Sequence, residues 1–253
     1  MNDDGFRVDM HVKILDDRVV ERAKRRGLDA LVYAPHFTRL PEIEAAASTH
    51  SDEDLLVIPA RELFTGSWRE RKHVLAVGLT DPIPDFIPLD AALDELERQG
   101  AVVLVPHPEF FSVGLSADEI RALRDRIHGI EVYNPKHLPS HNRVAGELAR
   151  ETALPPFASS YAHLRGSIGE VWTCFDCQFA DEDAFVEALR DGADRRIFHR
   201  DGADHARRCV AEFAHLAWEN SWQKIDRVLL SGMEPTHPRH LAYGGRFDDV
   251  ACY

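Results

Sequence analysis

Lysine is the scarcest charged residue in this sequence. Among 253 residues, 43 are acidic and 30 are lysine or arginine, which gives a formal net charge of −13. The lysines are Lys13, Lys24, Lys72, Lys136 and Lys224. Dense carboxylates keep a protein soluble in concentrated salt, so we interpret the composition as halophilic. The acidic composition also argues against a nucleic-acid partner, because a general nucleic-acid surface needs clustered positive charge. A local basic pocket is still compatible with this composition.

Long hydrophobic runs are missing as well. No apolar stretch approaches the roughly 18 residues that a membrane helix needs, so we expect no membrane partner. The chain begins with "MNDDGF", which is acidic where a signal peptide is basic and then apolar. We therefore expect a cytoplasmic protein. A hydrophobic content of 44% is enough for a substantial core in one large domain, with or without a small appendage.

Cysteine is too sparse to indicate a metal or disulfide framework. The sequence has four cysteines, of which Cys174 and Cys177 form a C-x-x-C in "WTCFDCQF". That segment is aromatic and strand-like rather than a turn that opens a helix, and no second C-x-x-C completes a zinc site. We interpret all four as reduced thiols in or near the core.

The sequence is instead rich in short β-branched runs separated by segments of helical period. The runs are "FRVDMHV", "LDALVYAPH", "LLVIPARE", "HVLAVGL", "GAVVLVPHP", "GIEVYNP", "PPFASSYAH" and "EVWTCF". Several of the intervening helices are expected to stop at a glycine, namely Gly27, Gly100 and Gly129. Near-continuous apolar strands that alternate with helices are typical of a buried parallel sheet. Repeated at this density, they predict an irregular, closed or nearly closed α/β barrel of the TIM type.

The repeat changes near residue 200. Beyond it, "ADHARRCVAEFAHLAWENSWQKIDRVLL" predicts one long helix or two, and the tail that follows has proline and glycine without periodicity. We therefore predict a barrel over residues 1–200 and a C-terminal helical extension with a tail over residues 201–253. No low-complexity linker separates them, so we expect the extension to pack on the barrel.

Side chains able to bind metal stand at the ends of the predicted strands. They are His11, His36, Glu62, His73, His107 and His163. The carboxyl ends of barrel strands converge on one mouth, where neutral imidazoles are suited to ligate divalent cations. A single strand-end histidine is more often a hydrogen-bonded loop residue, and we interpret eight others in that way: His128, His137, His141, His199, His205, His215, His237 and His240. The six together predict a shared metal site.

The order and spacing of these segments resemble the PHP (polymerase and histidinol phosphatase) domain family, from "VDMHVKIL" to "EALRDG". The matching segments are "GLDALVYAPH", "VIPARE", "HVLAVGL", "VPHP", "IEVYN" and "SSYAH" followed by "GSIG". The resemblance implies a distorted seven-stranded βα barrel that uses up to three metal ions, commonly zinc, manganese or iron, mainly to hydrolyse phosphoesters. The stretch "DGADHARRC" resembles the extension found behind some PHP domains.

The resemblance also implies how the ligands are shared among ions. The first ion would use His11 and Glu62, but Lys13 and Tyr161 stand at its other two ligand positions. The second would use Glu62, His73 and His107. The third would use His36 and His163, with its remaining ligand left open between Asp16 and Asp17. We therefore expect one or two divalent ions (Zn, Mn or Fe) per chain.

Lys13 is the most informative departure from the family pattern. On a strand, residues i and i+2 share a face, so Lys13 is expected beside His11 and Tyr161 beside His163. Our hypothesis is that the Lys13 ammonium replaces the missing cation, pairs with Glu62 and offers positive charge to a phosphate, since a buried acid without a cation is costly. The alternative is that Lys13 extends outward from a decayed site.

The predicted activity is hydrolysis of a small phosphorylated substrate by metal-activated water. The candidate catalytic residues are Lys13, His36, Tyr161 and Arg165. His36 and His163 either bind a second ion or donate a proton to the leaving oxygen, and Tyr161 is another candidate donor. Arg165 either clamps a phosphate or is a surface arginine. Two alternatives stay open: a catalytically silent PHP-like scaffold that binds a ligand or partner protein, and a metal-dependent hydrolase of C–N bonds.

Overall fold

The structure is a computed structural model that describes residues 5–67, 69–110, 112–215 and 235–252. Its strands are β1 (Phe6–Val12), β2 (Ala30–Tyr33), β3 (Leu56–Thr65), β4 (Lys72–Val77), β5 (Val102–Val105), β6 (Gly129–Tyr133), β7 (Pro156–Ala158), β8 (Val171–Phe175) and β9 (Arg195–His199). Its helices are α1 (Asp17–Arg26), α2 (Leu40–His50), α3 (Leu89–Gln99), α4 (Ala117–Ala122), α5 (Pro139–Thr152) and α6 (Glu182–Arg190). Residues 203–215 are also helical.

The strands form one sheet in the order β7-β6-β5-β4-β3-β2-β1-β8-β9. β7 packs beside β9, so the sheet nearly closes on itself and the predicted α/β barrel is confirmed. Two strands differ from the expected parallel arrangement, because β4 and β8 run antiparallel to their neighbours. β4 follows β3 after only a short turn, and a parallel pair needs a long crossover connection. The other seven strands share one direction.

Two of the three predicted helix stops are confirmed. α1 ends at Gly27 with φ +72° and α3 ends at Gly100 with φ +67°, both in the left-handed region that glycine adopts at low cost. The prediction for Gly129 is wrong, because this residue opens β6. A Cβ at Gly129 would lie 2.9 Å from Leu104 Cδ2, so the glycine permits close packing against β5.

Apolar side chains fill the barrel and cover its outside. The interior cluster includes Met10, Ile58 and Phe157, all fully buried. A second cluster lies between the strands and the helices α3 to α5, and the C-terminal tail adds Tyr243 and Phe247 to it. The tail therefore packs on the barrel.

The C-terminal half of the predicted long helix, residues 216–230, and the first residues of the predicted tail, 231–234, lie outside the described residues. Of that helix, the structure describes the part that ends at residue 215. The domain boundary near residue 200 stays a prediction. No helix within the described residues is long and apolar enough to cross a membrane.

Candidate metal centre at the barrel mouth

A shift in the register of β1 turns the side chains of His11 and Lys13 into the barrel mouth. The pairing of β1 with β2 changes register between Asp9 and Val12. Met10 packs in the barrel interior, whereas Val12 packs on the outside. His11 and Lys13 flank Val12, so they point inward, which is how a β-bulge re-aims side chains beside a functional site.

The loop after β7 places two further side chains, those of Tyr161 and His163, beside the end of β1. Ala162 bridges Val12 in parallel, and the backbone N–H of Lys13 donates to Ala162 O at 2.9 Å. Ala162 also packs on the outside, so its neighbours Tyr161 and His163 point inward.

Two side chains at the mouth stand on strained backbone. Tyr161 has φ +45° and His107 has φ +32°, in a region that non-glycine residues enter at a cost of roughly 1 kcal/mol or more. Such residues are concentrated at functional sites, because the surrounding structure must hold them there. The Tyr161 ring centroid lies 4.7 Å from that of His11 and 5.5 Å from that of His107.

Glu62, from the inward face of β3, is the centre of the site. Its Oε1 lies 2.9 Å from His107 Nε2 and 3.3 Å from His73 Nδ1. The two imidazole nitrogens are 3.4 Å apart. Glu62, His73 and His107 are all buried, and within the described residues they form the one His/Cys/Asp/Glu group compact enough to hold a metal ion, with ligand atoms within 4.8 Å of one another.

The other carboxylate oxygen of Glu62 contacts a cation. Lys13 Nζ donates to Glu62 Oε2 at 2.6 Å and to the backbone oxygen of Ala34 at 2.6 Å. His36 Nε2 lies 2.7 Å from the same Oε2, and His11 Nε2 lies 4.0 Å from it. The ammonium therefore lies in the part of the mouth that the sequence assigned to the first ion.

Burial and charge set the protonation of these groups. Burial alone would raise the pKa of Glu62, but the Lys13 charge and the surrounding histidines hold that pKa well below its ordinary value. Burial and the Lys13 charge lower the pKa of His36 to about 3 and that of His11 well below its ordinary value. Burial lowers the pKa of His73 to about 4. The imidazoles of His11, His36 and His73 are therefore neutral near pH 7, the form that ligates metal.

The donor set fits a divalent ion. His73 Nε2, His107 Nδ1 and both ring nitrogens of His11 are buried without a hydrogen-bond partner among the described residues. On His73 and His107 these are the nitrogens that point away from Glu62, whereas His11 Nε2 lies 4.0 Å from Glu62 Oε2 and is the unpartnered atom beside the carboxylate. Two imidazoles and one carboxylate are a donor set typical of zinc, manganese and iron sites.

A second buried cation stands on the far side of the Tyr161 ring. Lys136, in the loop after β6, lies with Nζ 2.5 Å from His163 Nδ1 and 3.2 Å from Glu212 Oε2. The same Nζ is 4.1 Å from the centroid of the Tyr161 ring. The rings of His36 and His163 have centroids 5.6 Å apart. The two histidines that the sequence assigned to a third ion thus lie close together, with an ammonium against one of them.

Sequence reasoning missed Lys136 and Glu212. Lys136 follows the strand end "EVYN", so the rule that located the histidines also applies to it, but a lysine is not a metal ligand. Glu212 lies on the helical segment 203–215 and carried no signal, because its position depends on how that segment docks.

A buried acid behind the site supports His107. The backbone N–H of His107 donates to Glu131 Oε2 at 2.7 Å. Ser159 Oγ donates to the other oxygen at 2.5 Å, and Asn134 Nδ2 donates to Oε2 at 3.0 Å. These bonds fix the strained backbone that aims His107 at Glu62. Burial raises the pKa of Glu131, although its neighbours oppose this.

Arg165 and the two candidate aspartates lie apart from the buried groups. Arg165 Nη2 donates to Asp16 Oδ2 at 2.5 Å, and its side chain is 54% exposed. Asp16 also caps α1 by accepting from Val19 N. The Asp17 side chain is 98% exposed. A phosphate clamp at Arg165 and a metal ligand at Asp16 or Asp17 stay predictions.

Comparison with known families and proteins gives a consistent result. The family model described as PHP-associated matches residues 139–193, which run from α5 through α6 and precede the extension predicted over 201–253. An uncharacterised protein of Methanocaldococcus jannaschii is 28% identical over 124 residues, 47% of this chain and 51% of that protein. The chain spans about half the length of this curated relative.

Solved structures share the fold at low sequence identity. PsfC from Pseudomonas syringae has a TM-score of 0.61 at 19% identity, over 87% of this chain and all of that chain. The lesion-specific endonuclease Q from Pyrococcus furiosus has a TM-score of 0.55 at 15% identity, over 76% and 57% of the two chains. A proposed metal-dependent phosphoesterase from Bifidobacterium adolescentis has a TM-score of 0.51 at 16% identity, over 75% and 97%.

The solved structures affect one of the predictions about partners, the exclusion of nucleic acid. An endonuclease of the same fold acts on nucleic acid, so the fold gives no support to the expectation that nucleic acid is excluded. That expectation rests on the net charge of −13 alone. The fold and the family model agree with the resemblance drawn from the sequence.

Proposed function

Because the chain is a PHP-family protein, we propose that it is a metal-dependent phosphoesterase acting on a small phosphorylated substrate. The observation that carries the proposal is the compact set of Glu62, His73 and His107, buried at the barrel mouth with ligand atoms within 4.8 Å of one another. These three residues would hold one divalent ion, Zn, Mn or Fe. A bound divalent ion lowers the pKa of a water ligand toward neutrality and polarises a phosphoryl oxygen.

Lys13 is proposed to do two things in this site. Its ammonium balances Glu62 from 2.6 Å and so replaces the charge of a second ion beside His11. It also gives the mouth a fixed positive charge, which attracts a phosphate more strongly in a buried site than in water.

His36 and Tyr161 are the candidates for handling protons near the leaving oxygen. The His36 side chain is 17% exposed, so it faces the opening through which a substrate must enter. With Glu62 ionised, His36 donates Nε2–H to Oε2 across 2.7 Å. Tyr161 lies between the rings of His11 and His163, and its phenol is a candidate donor to the leaving oxygen.

The test combines metal content with a phosphatase screen. The purified chain is supplied with Mn, Zn or Fe and assayed on p-nitrophenyl phosphate and a panel of phosphomonoesters. His107→Ala should lower both bound metal and kcat/KM by at least about 100-fold. Loss of a residue that only supports a metal ligand costs up to about 100-fold, and His107 is a proposed ligand itself. His199→Ala, at a side chain that is 39% exposed, is the matched control and should leave both unchanged.

A silent scaffold is the second candidate, because Lys13 and Tyr161 stand where the family pattern has two ligands. A well-folded chain that binds no metal and hydrolyses none of the substrates would favour the scaffold over the enzyme. Metal binding with cleavage of an amide panel, and no phosphatase activity, would favour hydrolysis of C–N bonds.

A further inference from the structure

A cavity of about 480 Å³ lies beside the seam at which the barrel nearly closes. It is bounded by the second half of α5 and by the first residues of β7 and β9. These two strands share the direction of β1, so their first residues lie at the end of the barrel opposite the mouth. The cavity is therefore separate from the metal centre.

The walls of this cavity are mostly apolar. The helix and the strands both contribute, through residues that include Ala149, Leu154, Pro156 and Ile197. Gly146 of α5 also lines the cavity, and a Cβ at this position would meet no atom within 4 Å. The volume is within the range of roughly 300–1,000 Å³ that is usual for small-molecule sites. The cavity thus has the size and the lining of a ligand pocket.

One cation among the lining residues has no hydrogen-bond partner. The Nε, Nη1 and Nη2 atoms of Arg195 are shielded from solvent, and none of them has a partner among the described residues. The guanidinium lies 5.4 Å from the centroid of the Phe175 ring, a contact that supplies no acceptor. Asp194, the acid among the described lining residues, makes no hydrogen bond to it. A guanidinium has only donors, so Arg195 is suited to bind an anion.

The next residue of β9 shows how an arginine is paired on the other face of the strand. Arg196 Nη2 donates to Asp176 Oδ1 at 2.7 Å, and the two side chains are 42% and 57% exposed. Successive side chains of a strand point to opposite faces. Arg196 therefore faces solvent with a carboxylate, whereas Arg195 faces the cavity without one. Burial lowers the pKa of Arg195 to about 10, so it is still a cation at pH 7.

We propose that this cavity binds a small organic carboxylate with an apolar chain. The two carboxylate oxygens match the planar fork of the Arg195 guanidinium, and the chain would lie against Leu154 and Ile197. A bare inorganic ion would leave this apolar wall uncovered. Arg150, exposed at the rim, adds a second positive charge. The proposal goes beyond the proposed function and does not depend on it.

The experiment is calorimetric titration of the purified full chain. Hexanoate and octanoate should bind, whereas the matched alcohols hexanol and octanol, and inorganic phosphate, should bind much more weakly. Arg195→Met should weaken carboxylate binding by about tenfold or more, because it removes a charge-assisted hydrogen bond. Arg196→Met is the matched control and should bind as wild type does.

A melting curve without ligand separates recognition from a structural role of Arg195. Arg195→Met should melt no lower than wild type, since it replaces an unpaired buried charge by an apolar side chain of similar length. A lower melting temperature with unchanged carboxylate binding would make Arg195 a structural residue and overturn the proposal.

A third pair of variants tests the cavity without changing Arg195. Gly146→Phe should fill the space and abolish carboxylate binding, whereas Gly146→Ala should bind as wild type does and melt no lower. Alcohols or phosphate that bind as tightly as the carboxylates, no binding of either carboxylate, or wild-type binding by Gly146→Phe would each overturn the proposal. Metal content should stay at the wild-type value in all of these variants, so such a failure leaves the proposed function intact.

Discussion

Two neighbouring residues of β3 place two buried ion pairs on opposite faces of one strand. Arg61 points outward and its Nη2 donates to Asp85 Oδ1 at 2.9 Å, with both side chains 1% exposed. Glu62 points inward and meets Lys13 at 2.6 Å, with side chains 4% exposed or less. Distance and burial are nearly the same in the two pairs. Their surroundings are not.

The outer pair is tied to backbone. Asp85 Oδ1 also accepts from the backbone N–H of Phe64, and Arg61 Nη1 donates to the backbone oxygen of Thr38. These bonds join β3 to the loop before α2 and to the loop before α3. Removing one partner of such a pair costs stability, since it leaves the other charge buried without compensation.

The inner pair has a backbone bond as well, from Lys13 Nζ to Ala34 O, but it is otherwise surrounded by imidazoles. His11, His36, His73 and His107 all reach Glu62 within 4.0 Å. His36 and His107 lie within hydrogen-bond distance of Glu62, and several nitrogens of the four rings lack a partner among the described residues. We propose that the pair surrounded by imidazoles serves binding and that the pair bonded to two backbone segments serves folding.

The largest effect on stability is expected from breaking the outer pair. Arg61→Met should lower the free energy of unfolding by about 3–5 kcal/mol, because it leaves Asp85 buried without its cation. Metal content should not change. Chemical denaturation measures the free energy of unfolding and elemental analysis measures the metal content. Loss of metal in a folded Arg61→Met protein would contradict the assignment of the outer pair to folding alone.

An intermediate effect is expected from Lys13→His. The change replaces a cation by a ligand next to His11 and Glu62, so bound metal should rise by one ion per chain. Without metal, the variant should be about 2 kcal/mol less stable, since Glu62 loses its charge-assisted bond. Elemental analysis and denaturation with and without chelator measure both effects. Equal metal content in wild type and Lys13→His would count against replacement of an ion by Lys13.

A smaller effect is expected from Glu182, a glutamate in α6 whose pKa moves in the opposite direction to that of Glu62. Burial, with the charges of Asp183 and Glu44, raises the pKa of Glu182 to about 7. A raised folded-state pKa gives stability that is present below the unfolded pKa of 4.5 and is lost as the pH rises through about 7.

Stability should therefore fall by on the order of 1 kcal/mol more in wild type than in Glu182→Gln between pH 5 and pH 8, after allowance for partial exposure. Denaturation curves at both pH values measure the difference. Glu187→Gln, on the exposed side of the same helix, is the control and should follow wild type. A Glu182→Gln protein with the wild-type pH slope would rule out the raised pKa.

The smallest effect is expected from Arg165→Ala. Its pair with Asp16 is exposed, and such pairs contribute little to stability. Metal content should match wild type, and a melting curve should shift only slightly. A tenfold rise in KM without loss of stability would show that Arg165 leaves Asp16 to hold substrate phosphate, as the sequence allowed.

The barrel and most of its mouth could be predicted from the sequence because both depend on local pattern. The runs that end in His36 and His107 coincide with β2 and β5 and the turns after them, and strand ends of one direction must meet. The antiparallel direction of β4 was not predictable from its apolar run, because direction depends on the connection before it.

What escaped prediction depends on tertiary packing. The register shift in β1 that aims Lys13 leaves no mark on the alternation of apolar residues. Glu212 reaches His163 across 49 positions of chain, through a helix whose docking follows from its contacts with the barrel. Glu131 sits mid-strand and became recognisable only as the acceptor for the His107 backbone.

Diffraction at a metal absorption edge tests the central claim most directly. Crystals equilibrated with Mn or Zn should give one anomalous peak, in contact with Glu62, His73 and His107. A peak between His36 and His163 with none at Glu62, or no peak in fully equilibrated crystals, would contradict the account.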